Sequence, residues 1–366
     1  METAMYGGDE PLVSVVIPSY NHLQYLGRAI DSVLNQTYKN IECIVIDDGS
    51  TDGSYEYFLR LYGDNPRVHL STRANQGAHN TINEGIAKAR GDFINILNSD
   101  DTFAIDRLRL LVEAAGSHGD AFFAITDLMV VDENDMPFSG GPEGYYRKLS
   151  ELVSNVPTGS AFWSGNIAMT TSNFFFSRQV WEETGPFRSL RYTHDWDWAL
   201  RASERFGFKR LDQILLHYRV HGKNTISEPD IWSHIAENAV VFATSLRRMP
   251  LVRQQAHTSI LPPRIMARML KNDSFLPMAT LYLLSLGRDD AELLSGLANG
   301  TLKQDLKDLL EEAQMTFDIM LSAQHLHQKV ISSQAARGNS STSGHSPENA
   351  IPTTRKKSWL QKLLPR

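Results

Sequence analysis

The stretch FINILNSDD, residues 93–101, sets a nearly unbroken apolar run directly against two adjacent acids. An apolar run of this length, with no polar face, reads as a strand covered on both sides, as the strands of parallel α/β sheets are. The spacing predicts that strand over 92–97. The acids then fall at its carboxyl end, where open α/β sheets collect their ligands. The same design occurs twice upstream: VSVVIP (13–18) runs into SYN, and IECIVI (41–46) runs into DDGSTD. A shorter strand is expected near 68–70.

Helical periodicity fills the intervals. Leu23, Leu26, Ile30, Val33 and Leu34 share one stripe, with Asn21 expected to cap the helix start. Phe58 and Tyr62 mark a second helix, and Ile82 and Ile86 a third, with Gly91 expected as its C-terminal stop. Strand-like runs at 121–125 and 127–131 close this half. Alternation of strand and helix predicts an α/β fold with a mostly parallel central sheet.

The bulk composition narrows the function. Hydrophobic residues at 42% and charged residues at 21% are ordinary for a globular chain and exclude disordered or collagen-like classes. A net charge of −6 offers no general attraction to nucleic acid, so none is expected as a partner. The single cysteine, Cys43, excludes an internal disulfide and a cysteine-rich zinc site. Together with the lack of a long apolar stretch and of a signal-like N-terminus, it leads to an expected cytoplasmic location, with the inner face of the membrane as an extension of it.

Two readings attach to each acidic cluster. Asp47-Asp48-Gly49-Ser50-Thr51-Asp52 either makes a turn and caps the next helix, or presents a carboxylate to a base or ribose. Asp100 and Asp101 either cap the helix expected over 105–112, or hold a divalent cation against substrate phosphates.

In order and spacing, VSVVIPSYN, SVLNQTY, ECIVIDDGSTDGS, NQGAHNTINEGIAKARGD and FINILNSDD resemble the inverting family 2 glycosyltransferases of the GT-A fold, of the bacterial surface-polysaccharide type. The resemblance covers about residues 11–225. It implies a nucleotide-sugar donor, commonly a UDP-sugar, lying across the strand ends. Pro18 and Tyr20 would line the base, Asp48 would hydrogen-bond it, and Asp100 and Asp101 would reach ribose, metal (Mn²⁺ or Mg²⁺) and diphosphate. Many members carry an acid where this chain has Asn98.

The segment THDWDWAL, 193–200, resembles the family's acceptor side, where an acid serves as general base. Asp195 takes that position, and His194 stands where a glutamate is common. Asp195 and Asp197 lie about 200° apart around a helix, so only one can face the site. In HYRVHGKNT, 217–225, the resemblance implies His221 as a metal ligand, whereas the residues alone leave it a structural histidine. Arg219 reads equally as a phosphate partner or an ion-pair residue. A QxxRW motif of processive synthases is missing, which disfavours a polymerising enzyme.

The expected organisation is a GT-A domain over 11–225, with a nucleotide-donor half (11–132) and an acceptor half (133–225). A helical extension (226–331), a serine-rich flexible linker (332–354) and a basic amphipathic tail (355–366) follow. Three readings stand for the tail: contact with an anionic membrane carrying lipid-linked acceptors, docking on an acidic partner, or a solubilising end. The leading function is metal-dependent, inverting transfer of one sugar to an acceptor hydroxyl of a glycan or lipid-linked glycan. The alternatives are a nucleotidyltransferase, or a nucleotide-sugar-binding scaffold with a weakened site.

Overall fold

The computed structural model describes residues 10–116, 121–153, 158–222, 224–225, 230–248, 276–309 and 311. The linker and the basic tail lie outside them. The chain divides into two units, Met1–Arg268 and Met269–Arg366.

The first unit is built on one sheet. Its strands are β1 (Val13–Ser19), β2 (Ile41–Asp47), β3 (Val68–Thr72), β4 (Phe93–Ile96), β5 (Thr102–Phe103), β6 (Phe123–Val131), β7 (Phe175–Ser177) and β8 (Lys209–Arg219). They lie in the order β3-β2-β1-β4-β7-β6-β8-β5. Pairing is parallel from β3 through β4 and between β6 and β8, while β7 and β5 run antiparallel to their neighbours. The mostly parallel α/β sheet expected from the sequence is therefore present. Every residue of β2, and all of β1 except Pro18, is buried, as two-sided coverage by helices requires. The runs at 121–125 and 127–131 form one strand, β6, broken in register against β8 at Thr126 and Asp127.

Helices α1 (Leu26–Leu34), α2 (Ser54–Tyr62), α3 (Ala78–Lys88), α4 (Arg107–Ala115), α5 (Gly141–Val153), α6 (Arg178–Thr184), α7 (His194–Phe206) and α8 (Ile231–Arg248) complete the unit. Helix α1 starts three residues later than its apolar stripe. Asn21 does not cap it; the residue takes a left-handed φ of 54° and accepts from Thr51 N at 2.8 Å. Gly91 is not a helix stop either. It lies past the end of α3, and a Cβ there would meet Leu12 O at 2.6 Å and Ser14 N at 2.7 Å, so glycine is required by close approach to β1.

Helix α3 seats on β1 through Gly85, where a Cβ would fall 2.3 Å from Val16 Cγ1. Val16 is fully buried and cannot yield. We expect Gly85→Ala to cost about 1–2 kcal/mol, the overpacking penalty less the gain in helix propensity, visible as a lower urea midpoint with unchanged slope.

Helix α8 was expected in a separate extension. It belongs instead to the first unit: Phe242 packs on Trp163 and Trp196 at ring separations of 5.5 and 5.2 Å. The second unit contains α9 (Leu276–Ser285) and α10 (Asp290–Ala298), the latter opened by an Asp289–Glu292 capping box, and a helical stretch over 301–309. Among the described residues, no helix is long and apolar enough to cross a membrane.

Candidate functional site

Four chain segments meet beyond the carboxyl ends of β1, β2, β4 and β8. The first two are tied together: Asn21 N donates to Ser50 Oγ at 2.8 Å, and Asp48 N to Ser19 O at 2.7 Å. The turn and cap reading of DDGSTD holds for Asp47 and Asp52. Asp47 makes the turn, accepting from Gly49 N, Ser50 N and Thr72 Oγ1, and Asp52 accepts from Ser54 N at the first turn of α2. Asp48 faces the loop after β3. Its buried carboxylate accepts from Gln76 N (2.8 Å), Gly77 N (2.9 Å) and the Arg73 guanidinium. One of its roughly four acceptor directions is then left for a ligand. Pro18 is half-buried at the end of β1, and Tyr20 beyond it is 48% exposed.

The NSDD segment separates its two acids. Asp100 Oδ2 lies 2.9 Å from His221 Nε2, and His22, Asp100 and His221 bring one ligand atom each within 4.8 Å of one another. Burial would raise the Asp100 carboxyl, but the hydrogen bond from His221 and the charges of His22 and His221 outweigh it and hold it below its ordinary range.

Asp101, expected beside Asp100 as a metal ligand, turns the other way. Its oxygens accept from Ser172 Oγ at 2.5 Å and Arg219 N at 2.9 Å, and burial first, then the charge of Asp100, pushes it well above the usual carboxylate range. Asp101 is a structural acid that locks the loop to β8. Nor do the two acids cap α4, because β5 intervenes and Asp106 precedes that helix. Asn98 is likewise taken: it donates to Thr170 Oγ1 and accepts from Thr171 Oγ1, both at 2.8 Å.

Arg219 is not available to a phosphate. It is wholly buried and donates to Asp100 O, Asp132 O and the Asp135 carboxylate. Beneath the same loop, Arg107 is buried among neutral partners, Asn95 Oδ1, Thr126 Oγ1 and Ser172 O, and burial pulls its guanidinium down to about 9. In sequence it looks like any helix-surface arginine.

Helix α7, which carries Asp195, is anchored by Trp198, fully buried against Phe174, Phe176 and Phe187. Glu237 of α8 accepts from the backbone N–H groups of Arg191, Tyr192 and Thr193 at 2.7, 2.7 and 3.1 Å, fixing the entry to α7. No signal near Asp195 points to that distant glutamate.

Asp195 and Asp197 face apart, as helix geometry requires. Asp197 is buried in ion pairs with Arg188 (3.3 Å) and Arg201 (2.9 Å). Asp195 accepts from Asn166 Nδ2 at 2.6 Å and Trp196 N at 2.7 Å, yet burial pushes it up to about 7. The two sides converge on Tyr218: its hydroxyl is pushed up by burial first, then by the charges of Asp101, Asp100 and Asp195 together. Next to Asp195, His194 Nδ1 is buried and has no hydrogen-bond partner among the described residues.

Residues 14–184 match the family model described as glycosyl transferase family 2. That stretch is a family 2 glycosyltransferase domain. An uncharacterized glycosyltransferase of Nostoc sp. is 33% identical over 58% of this chain and 66% of its own length. The chondroitin synthase of Pasteurella multocida is 31% identical over 59% of this chain but only 21% of its own length. The chain thus spans less than two thirds of these relatives. A crystal structure of S. aureus TarS 1–349 in complex with UDP-GlcNAc superposes with a TM-score of 0.54 at 17% identity, covering 71% of each chain. The shared architecture is the GT-A type of transferase fold.

Proposed function

We propose that this protein is a metal-dependent, inverting glycosyltransferase that moves one sugar from a nucleotide diphosphate, a UDP-sugar in the first instance, to an acceptor hydroxyl of a glycan or lipid-linked glycan. The observation that carries the reading is Asp195. It is a carboxyl raised to about 7 by burial, on the acceptor side of a family 2 fold, within electrostatic reach of the same tyrosine as the strand-end acids.

Pro18 and Tyr20 lie partly exposed at the end of β1, suited to stack a base, with Asp48 after the neighbouring strand β2 to hydrogen-bond it. Asp100 and His221, 2.9 Å apart, would hold a divalent cation, Mn²⁺ or Mg²⁺ in the family's usual terms. A cation held by Asp100 and His221 supplies charge compensation for the departing diphosphate. Asp195 removes the proton from the acceptor hydroxyl as its oxygen attacks the anomeric carbon opposite the diphosphate, with Asn166 holding the carboxylate in place. Attack from that face inverts the configuration through an oxocarbenium-like transition state.

The base must be ionised to act, which fixes a sign. With its pKa raised to about 7, kcat/KM should rise about tenfold per pH unit below 7 and level off above it. Removing the Asn166 hydrogen bond, which favours the ionised form, should move that limb to higher pH in Asn166→Ala. A profile flat between pH 5 and 8 would exclude Asp195 as base.

A thermal-shift screen of nucleotide sugars with Mn²⁺ present tests the donor assignment. Stabilisation by UDP-sugars that disappears with EDTA is the expected result. Stabilisation by nucleoside triphosphates alone would favour a nucleotidyltransferase.

A further inference from the structure

His22 lies three residues past the end of β1, in a segment whose neighbours Pro18 and Tyr20 point to the nucleotide base, and the sequence offers no reason to join it to the metal. The structure does. The left-handed turn at Asn21, pinned to Ser50 and Thr51 of the adjacent loop, reverses the chain at the strand end. His22 thereby reaches Ser99 and His221: its Nδ1 lies 2.7 Å from Ser99 Oγ, and its ring stands edge-on to His221 at 5.7 Å and 89°. Tyr25 completes the arrangement, stacked on His221 at 4.9 Å and edge-on to His22 at 5.8 Å.

We infer that His22 is a third protein ligand of the cation, and that the resulting set of two imidazole nitrogens and one carboxylate makes the site selective for borderline transition-metal ions over Mg²⁺. This rests on the proposed function, because it refines the same site.

Three features support it. One ligand atom from each of the three residues lies within 4.8 Å of the others, whereas two donors bound to one ion at about 2.0–2.2 Å are at most about 4.4 Å apart, so a shift of a few tenths of an ångström closes the site. The contact of His22 with Ser99 is the kind of outer hydrogen bond that orients a ligating imidazole. Asp101, which would have supplied a second carboxylate, is committed to Ser172 and Arg219, so the oxygen-rich set that suits Mg²⁺ is not assembled. Imidazole donors suit transition metals, and Mg²⁺ prefers oxygen and retains its water.

The test is metal binding by the full chain, read without turnover. Mn²⁺ and Mg²⁺ affinities are measured by calorimetry for the wild type, His22→Ala, His22→Asp and Asp100→Ala, with circular dichroism to establish folding. Pulsed electron paramagnetic resonance of the Mn²⁺ complexes then counts coupled imidazole nitrogens. The wild type should bind Mn²⁺ more tightly than Mg²⁺ and show two coupled histidines. His22→Ala should show one and bind Mn²⁺ at least about 10-fold more weakly, the lower end of what even outer partners of ligands cost. His22→Asp, which restores an oxygen donor, should narrow the Mn²⁺ preference over Mg²⁺ by a similar factor. One coupled histidine in both wild type and His22→Ala, with equal Mn²⁺ affinity, overturns the role of His22. If Asp100→Ala still loses binding in that case, the site on Asp100 and His221 stands without His22. Unaltered Mn²⁺ binding in Asp100→Ala removes the site itself and the inference with it.

Discussion

Asp195→Asn should lower kcat by on the order of 10² to 10⁴ while leaving donor affinity nearly unchanged, because the carboxylate acts on the acceptor proton and not on the diphosphate. The amide keeps the shape and one acceptor for Trp196 N, losing only the bond from Asn166, so the fold should be retained. The rising pH limb near 7 should vanish with it. Asp197→Asn gives the contrast. That carboxylate is buried between Arg188 and Arg201, so its loss should appear as destabilisation, because two partly buried guanidinium groups lose their counter-charge. A large fall in kcat from Asp197→Asn in a stably folded protein, with Asp195→Asn benign, would put the base on the wrong face of α7.

The second large effect is expected at Asp100. Asp100→Ala removes the carboxylate shared by the two histidines and should reduce metal-dependent transfer by on the order of 10³, since charge compensation of the leaving diphosphate contributes several kcal/mol. Asp101→Asn should keep transfer within about tenfold. Its side chain is buried, pushed toward the neutral acid and bonded to the protein, and an amide preserves the acceptor for Arg219 N. Steady-state rates across a Mn²⁺ titration separate the two. Equal losses at both positions would return Asp101 to the metal.

The difference between those acids marks where sequence reading stops. The strands were legible because runs such as VSVVIP and IECIVI, apolar on both faces, have few other fates, and their polar ends point to a site. That only one of Asp195 and Asp197 can face the site followed from 200° of helix rotation, and the choice of Asp195 came from the family resemblance. The division of labour between Asp100 and Asp101 did not, because it is decided by Ser172 and by the backbone of Arg219, 71 and 118 residues away. His22 and Glu237 were hidden for the same reason. A histidine after a strand and a glutamate on an amphipathic helix carry no local mark, and they acquire roles only when β8 and the α7 entry are brought against them. Gly91 shows the converse: a glycine at a helix end reads as a stop, while its actual constraint is the backbone of β1.

Catalysis with inversion, by a base opposite the leaving group, is the core of the account, and the anomeric configuration of the first product reports on it directly. The measurement is time-resolved proton nuclear magnetic resonance of the sugar released from α-linked UDP-sugars by the full chain with Mn²⁺, followed before mutarotation. Release of the β-anomer first, lost in Asp195→Asn, is the predicted result. Release of the α-anomer first would contradict the mechanism.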